Sequence, residues 1–144
     1  MIDRRTMIGL LAAAIPAAAC AKPAKAAELK VYKSPNCGCC GAWVDHVRAS
    51  GLPTIVQDMD DVTPVASKLG VPDAMRSCHT AEIDGYFVEG HVPATDIRKL
   101  LRERPKARGI AVPGMPIGSP GMEQGERRDA YDTMLVLRDG STRA

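Results

Sequence analysis

At 144 residues with a formal net charge of only +2, the chain has room for one domain and offers no basic face for nucleic acid. Aromatic residues are scarce (one Trp, one Phe, three Tyr), so its core must be mainly aliphatic. Three of its five cysteines fall within four positions, a spacing that ordinary packing does not require.

The chain begins as an export signal does. Asp3-Arg4-Arg5-Thr6 precedes an apolar run from Met7 to Ile15, and small residues follow. The run is too short to span a bilayer, so no membrane span is expected. Arg4-Arg5 is a loose match to a twin-arginine signal. Ala24-Lys25-Ala26 fits cleavage after Ala26, giving a signal over 1–26 and a domain over 27–144. Ala17-Ala18-Ala19-Cys20 competes as a lipoprotein box but lacks the usual Leu. Cleavage after Ala26 takes the formal charge from +2 to −1 and removes Cys20. The expected home is the periplasm or cell envelope.

Leu29-Lys30-Val31-Tyr32-Lys33 is short and alternating, the pattern of a strand. Ser34-Pro35-Asn36 makes a turn, and Gly41 to Arg48 carries apolar residues at helical spacing. Cys37-Gly38-Cys39-Cys40 therefore sits where a strand ends and a helix begins. Unpaired backbone N–H groups and the helix dipole favour thiolates there. Cys37 and Cys40 have C-x-x-C spacing, which suits a thiol–disulfide oxidoreductase. Such an exchanger has no need of Cys39, whereas a site for several soft cations does, because bridging thiolates each serve two ions. A pair of structural disulfides is the bland alternative, and adjacent cysteines bridge each other poorly.

Thr54 to Met59 reads as a second strand. Thr63 is the expected N-cap of a helix with Pro64 at its first position, Val65, Ala66 and Leu69 on its apolar side, and Gly70 at its end. Two short strands around Asp84-Gly85 fit a tight hairpin. Pro93 to Arg104 is a helix burying Ile97, Leu100 and Leu101, with Pro105 as its stop. The order β-α-β-α-β-β-α makes the chain α/β and thioredoxin-like. In that architecture the loop entering the third strand, here Cys78-His79, lies against the cysteine turn. Ile110 to Met122, rich in Pro and Gly, is expected as a loop over the cysteine site. Tyr131 to Leu137 is an added edge strand or hairpin arm.

Cys78 is a candidate fourth thiolate, against the alternative of a small buried hydrophobe. His79 is a candidate ligand beside it. Met115 and Met122 are thioethers suited to Cu(I), with ordinary packing as their alternative. His46 is expected to be solvated, His91 to make a structural hydrogen bond, and Trp43 to pack beneath the turn. Zinc fits less well, since structural zinc cysteines come as separated pairs.

Four stretches together resemble a known family: Tyr32-Lys33-Ser34-Pro35-x-Cys37-Gly38-Cys39-Cys40-x-x-Trp43, Ser77-Cys78-His79-Thr80-Ala81, Glu89-Gly90-His91-Val92-Pro93-Ala94, and Val112 to Met122. They are similar to the CopG-type copper-resistance proteins, long catalogued only as a domain of unknown function. The resemblance covers nearly the whole chain after the signal. It implies a thioredoxin-like periplasmic protein with a copper cluster held by Cys37, Cys39, Cys40 and Cys78. The function expected is copper binding for copper tolerance, with several ions, Cu(I) favoured. Interconversion of Cu(I) and Cu(II), a copper oxidoreductase activity, is a candidate, and other envelope copper-handling proteins are candidate partners.

Overall fold

The computed structural model describes residues 26–144; the expected export signal, up to residue 25, and Cys20 lie outside the described residues. The elements run β1 (Leu29–Lys33), α1 (Gly38–Ala49), β2 (Thr54–Asp58), α2 (Thr63–Leu69), a 3-10 turn (Asp73–Met75), β3 (His79–Ile83), β4 (Tyr86–Gly90), α3 (Ala94–Glu103), β5 (Ala107–Val112), β6 (Met134–Leu137) and β7 (Thr142–Arg143). From β1 to α3 this is the expected order. No helix among the described residues is long and apolar enough to cross a membrane.

The seven strands of the described residues form one sheet, ordered β2-β1-β3-β4-β5-β6-β7. Helix α1 crosses between the parallel pair β1 and β2, and α3 between the parallel pair β4 and β5. The other neighbours are antiparallel. The β3–β4 hairpin turns on Asp84 and Gly85, both at positive φ, as a two-residue turn matched to strand twist requires.

Alternation along the strands sorts the side chains onto two faces. Leu29, Val31, Ala81, Ile83 and Val88 meet Trp43, Val44 and Val47 of α1 and Ile97 and Leu100 of α3. Phe87, Ala111 and Val136 face the other way, with Ala66 of α2 and Val71. The core is aliphatic apart from Trp43, Tyr86 and Phe87 on these two faces.

Several boundaries differ from expectation. The Pro/Gly loop does not begin at Ile110, because Ala107–Val112 is strand β5 in the interior of the sheet. Its Gly109 looks like a strand breaker in sequence, yet it pairs with Phe87, and a Cβ there would collide with the Phe87 carbonyl and ring. Of Tyr131–Leu137 only Met134–Leu137 is strand; this β6 is the hairpin arm expected, paired with β7, and β7 rather than β6 is the sheet edge. Helix α1 starts at Gly38, placing Cys39 and Cys40 inside its first turn with Cys37 as N-cap. Thr63 is the first residue of α2, not its cap; Val62 holds that place, and the Asp61 carboxylate accepts the Thr63 N–H.

Candidate metal centre

Four chain segments converge at the N-terminal end of α1. The Cys37–Asn36 side of the turn is held by a bond from the Cys37 N–H to the Ser34 carbonyl. Cys78 comes from the residue before β3, His79 from its first position, and His91 from just beyond β4. The fourth is the loop after β5. Gly121 there has φ +84°, and a Cβ on it would lie 2.7 Å from both the Cys39 carbonyl oxygen and the Trp43 nitrogen. Only glycine lets this loop lie directly on the cysteine turn.

The sulfur atoms of Cys37, Cys39, Cys40 and Cys78 all lie within 4.8 Å of one another. Cys39 Sγ is 3.5 Å from Cys37 Sγ and 3.9 Å from Cys78 Sγ. The expectation that turn and loop cysteines meet is therefore met. Their redox state differs from the four free thiolates expected of a cluster, since Cys37 and Cys40 form a disulfide and, among the described residues, Cys39 and Cys78 are the free thiols. Cys40 is fully buried, whereas Cys37, Cys39 and Cys78 are half-buried. Burial, with the neighbouring Cys39 thiol, pushes the Cys78 thiol up to about 12. At neutral pH Cys78 is protonated until a cation displaces its proton.

Two imidazoles complete the cluster. Cys78 Sγ lies 3.4 Å from His79 Nδ1 and 3.2 Å from His91 Nε2, and these three residues form a second candidate ligand group. His91 Nδ1 is 2.8 Å from the Pro120 carbonyl oxygen, to which it donates. That bond fixes the tautomer, so Nε2 presents its lone pair to the sulfurs, an arrangement typical of ligating histidines. His91 does make the structural hydrogen bond, and it also reaches the site; the Pro120 contact that aims it is not visible in sequence. Burial, reinforced by His91, lowers His79 to about 3, and burial lowers His91 too. Both rings are therefore neutral, the form that binds metals.

Trp43 lies beneath the turn, fully buried, its Nε1 donating to the Val92 carbonyl at 2.8 Å and its ring 4.3 Å from that of His79. His46 is not simply solvated, for its Nε2 accepts the Ala94 N–H at 3.1 Å and so caps α3. Met115 is exposed at 42% and Met122 is half-buried.

Behind Cys78, on the α2 side of the sheet, lies a carboxylate that sequence reasoning did not single out. Glu89 is fully buried on β4, and its Oε1 accepts the Ser77 N–H at 2.7 Å. Burial pushes its carboxyl up to about 7 from 4.5. Its protonated form thus stabilises the fold fully below pH 4.5, and that contribution is lost as pH rises through about 7. His79 acts oppositely: its stabilisation is complete above pH 6.5 and is lost as pH falls towards 3. Through the shared window the two slopes oppose. Glu89→Gln removes the first, so the metal-free variant should lose stability more steeply than wild type on acidification from pH 6.5 to 4.5. Denaturant titrations across that range check this; parallel curves for the two proteins would refute it.

A soft-donor cluster of thiols and neutral imidazoles at the end of an α/β sheet defines a class of protein equipped to hold a soft metal ion. Two solved structures, both titled copper resistance protein copG, match the chain. Form 2 is 50% identical, with a TM-score of 0.78, over 83% of this chain and 95% of that one. Form 1 is 52% identical, with a TM-score of 0.76, over 81% and 92%. A family described as protein of unknown function, DUF411, matches residues 75–122. No curated protein matches. The chain belongs to the CopG copper-resistance family, and its role is copper-related.

Proposed function

We propose that the chain is an exported copper-binding protein serving copper tolerance, which carries Cu(I) as a cysteine-bridged cluster on Cys37, Cys39, Cys40 and Cys78. The observation that carries this reading is the approach of all four sulfurs to within 4.8 Å, three from one turn and one from a distant loop. Bridging thiolates let so few ligands hold several soft ions. His91 Nε2 and His79 Nδ1 are proposed as nitrogen donors at the Cys78 side, with Met115 and Met122 as outlying thioether donors. The export signal would place the protein in the periplasm, among other copper-handling proteins of the envelope. An intact mass beginning at Ala27 supports cleavage after Ala26, whereas a lipid on Cys20 refutes it.

The Cys37–Cys40 bond bears on redox chemistry. It closes a loop between residues only three apart, so it removes little chain entropy and is a poor staple. As a reacting pair it has a balanced use: two thiols and two Cu(II) ions give the disulfide, two Cu(I) ions and two protons. The reverse returns the electrons. Reduced protein should bind several Cu(I) equivalents under anaerobic competition with a Cu(I) chelator, and the disulfide form should bind fewer, because two ligands are withdrawn. Equal stoichiometry in both forms would sink the cluster reading. The same disulfide, with Cys37 half-buried and Cys40 fully buried, favours one alternative, a thiol–disulfide oxidoreductase.

A further inference from the structure

We infer that Glu89 is a positioning residue for the copper site, a strut that sets Cys78 against the cysteine turn by holding the Ser77 N–H from the opposite face of the sheet. Cys78 precedes β3, so no ladder bond fixes its sulfur. Three features fix the segment before it. The Glu89 carboxylate accepts the Ser77 N–H at 2.7 Å in a fully buried setting. Gly90 has φ +72°, and a Cβ there would come within 2.9 Å of the Ser77 side chain and 2.6 Å of the Val112 carbonyl oxygen, so Ser77 is pressed onto β4. The Ser77 hydroxyl in turn points at Cys78 Sγ, 3.9 Å away.

A buried carboxylate is a costly way to hold one backbone N–H. Its second oxygen, Oε2, makes no well-formed hydrogen bond and faces only the hydroxyl of Thr80, its cross-strand neighbour, which opposes the effect of burial on the carboxyl. An apolar residue would fill the place with less desolvation. What the carboxylate provides is an acceptor at one fixed point. Partners that hydrogen-bond a ligand directly typically contribute 10- to 100-fold to metal affinity; Glu89 acts one residue further back, through the Ser77 N–H, so its share belongs at or below the low end of that range.

Glu89→Met keeps the length of the side chain and removes the acceptor; Glu89→Gln keeps an acceptor oxygen. The Met variant sheds the desolvation of the buried carboxyl but leaves the Ser77 N–H without its acceptor, so its resistance to denaturant at pH 7 should stay close to that of wild type. Even so, it should bind Cu(I) several-fold more weakly, up to about 10-fold. In the reduced, metal-free protein its Cys78 should be alkylated several-fold faster than in wild type. The Gln variant should restore both values. A Met variant with wild-type copper affinity and wild-type Cys78 alkylation overturns the strut, as does a Gln variant as impaired as Met. One measurement needs no variant: the Ser77 amide should exchange with solvent as slowly as the amides of β3 and β4, and fast exchange overturns the proposal. Only the affinity arm rests on the copper reading. Protein that binds no copper yet shows the Cys78 response would refute that reading and leave the strut standing.

Discussion

Cys39→Ser is expected to cost the protein more than one Cu(I) equivalent. A terminal ligand accounts for one metal contact, whereas a bridging thiolate is shared, so its removal unseats every ion it joins. Cys39 is placed for bridging. Its sulfur lies between Cys37 at 3.5 Å and Cys78 at 3.9 Å, and it stands outside the Cys37–Cys40 bond. Serine is nearly isosteric, and a hydroxyl at the half-buried Cys39 position in the first turn of α1 adds little strain, so the fold should survive. Titration of reduced wild type and variant against a competing Cu(I) chelator gives both stoichiometries. An unchanged number of ions would refute a bridged cluster and favour the C-x-x-C redox reading.

Cys78→Ser should produce the largest loss of affinity. Cys78 is the one thiol contributed from outside the turn, and it meets Cys39, His79 and His91 at once. Residues that only orient a ligand contribute up to about 100-fold, so removing the ligand itself should exceed that, about 2.7 kcal/mol or more. The same variant separates the two functional readings. Dithiol exchange needs an attacking and a resolving thiol, and Cys37 and Cys40 supply both without Cys78. Wild type is expected to be a poor insulin reductase even with dithiothreitol. Vigorous insulin reduction that survives Cys78→Ser, with copper affinity unaltered, would establish the oxidoreductase in place of the copper carrier.

Much of this arrangement is legible in the residues. Pro, Gly and Asp punctuate the chain from β1 to α3 so clearly that each helix and strand there can be read directly, and the meeting of Cys78 with the turn follows from their order. Strand β5 is not legible, because Ala107-Arg108-Gly109 carries no β-branched signal. Its burial comes from β4 on one side and β6 on the other. Glu89 hides for a related reason: a lone acid in Tyr86-Phe87-Val88-Glu89-Gly90 reads as the polar member of an alternating strand. In the structure it is buried like the rest of β4, on the same face as Phe87. His91 needed the Pro120 carbonyl, 29 residues on, to orient it. The disulfide state is not encoded in spacing at all, because C-x-x-C serves thiols and disulfides alike.

The division of the site between one turn and three distant segments also governs how metal and folding are linked. Cys37, Cys39 and Cys40 travel together and offer three thiols to copper even in an unfolded chain. Cys78, His79 and His91 join them only when β1, β3 and β4 have paired. A ligand stabilises the native state only by the excess of its affinity there over its affinity for the unfolded chain. On the proposed reading, copper's contribution to folding stability would be set by the Cys78 side of the site, and the turn cysteines, which would bind in both states, would largely cancel. A chain that meets copper before its sheet has formed would be caught by the turn alone, and the metal would then compete with folding instead of driving it.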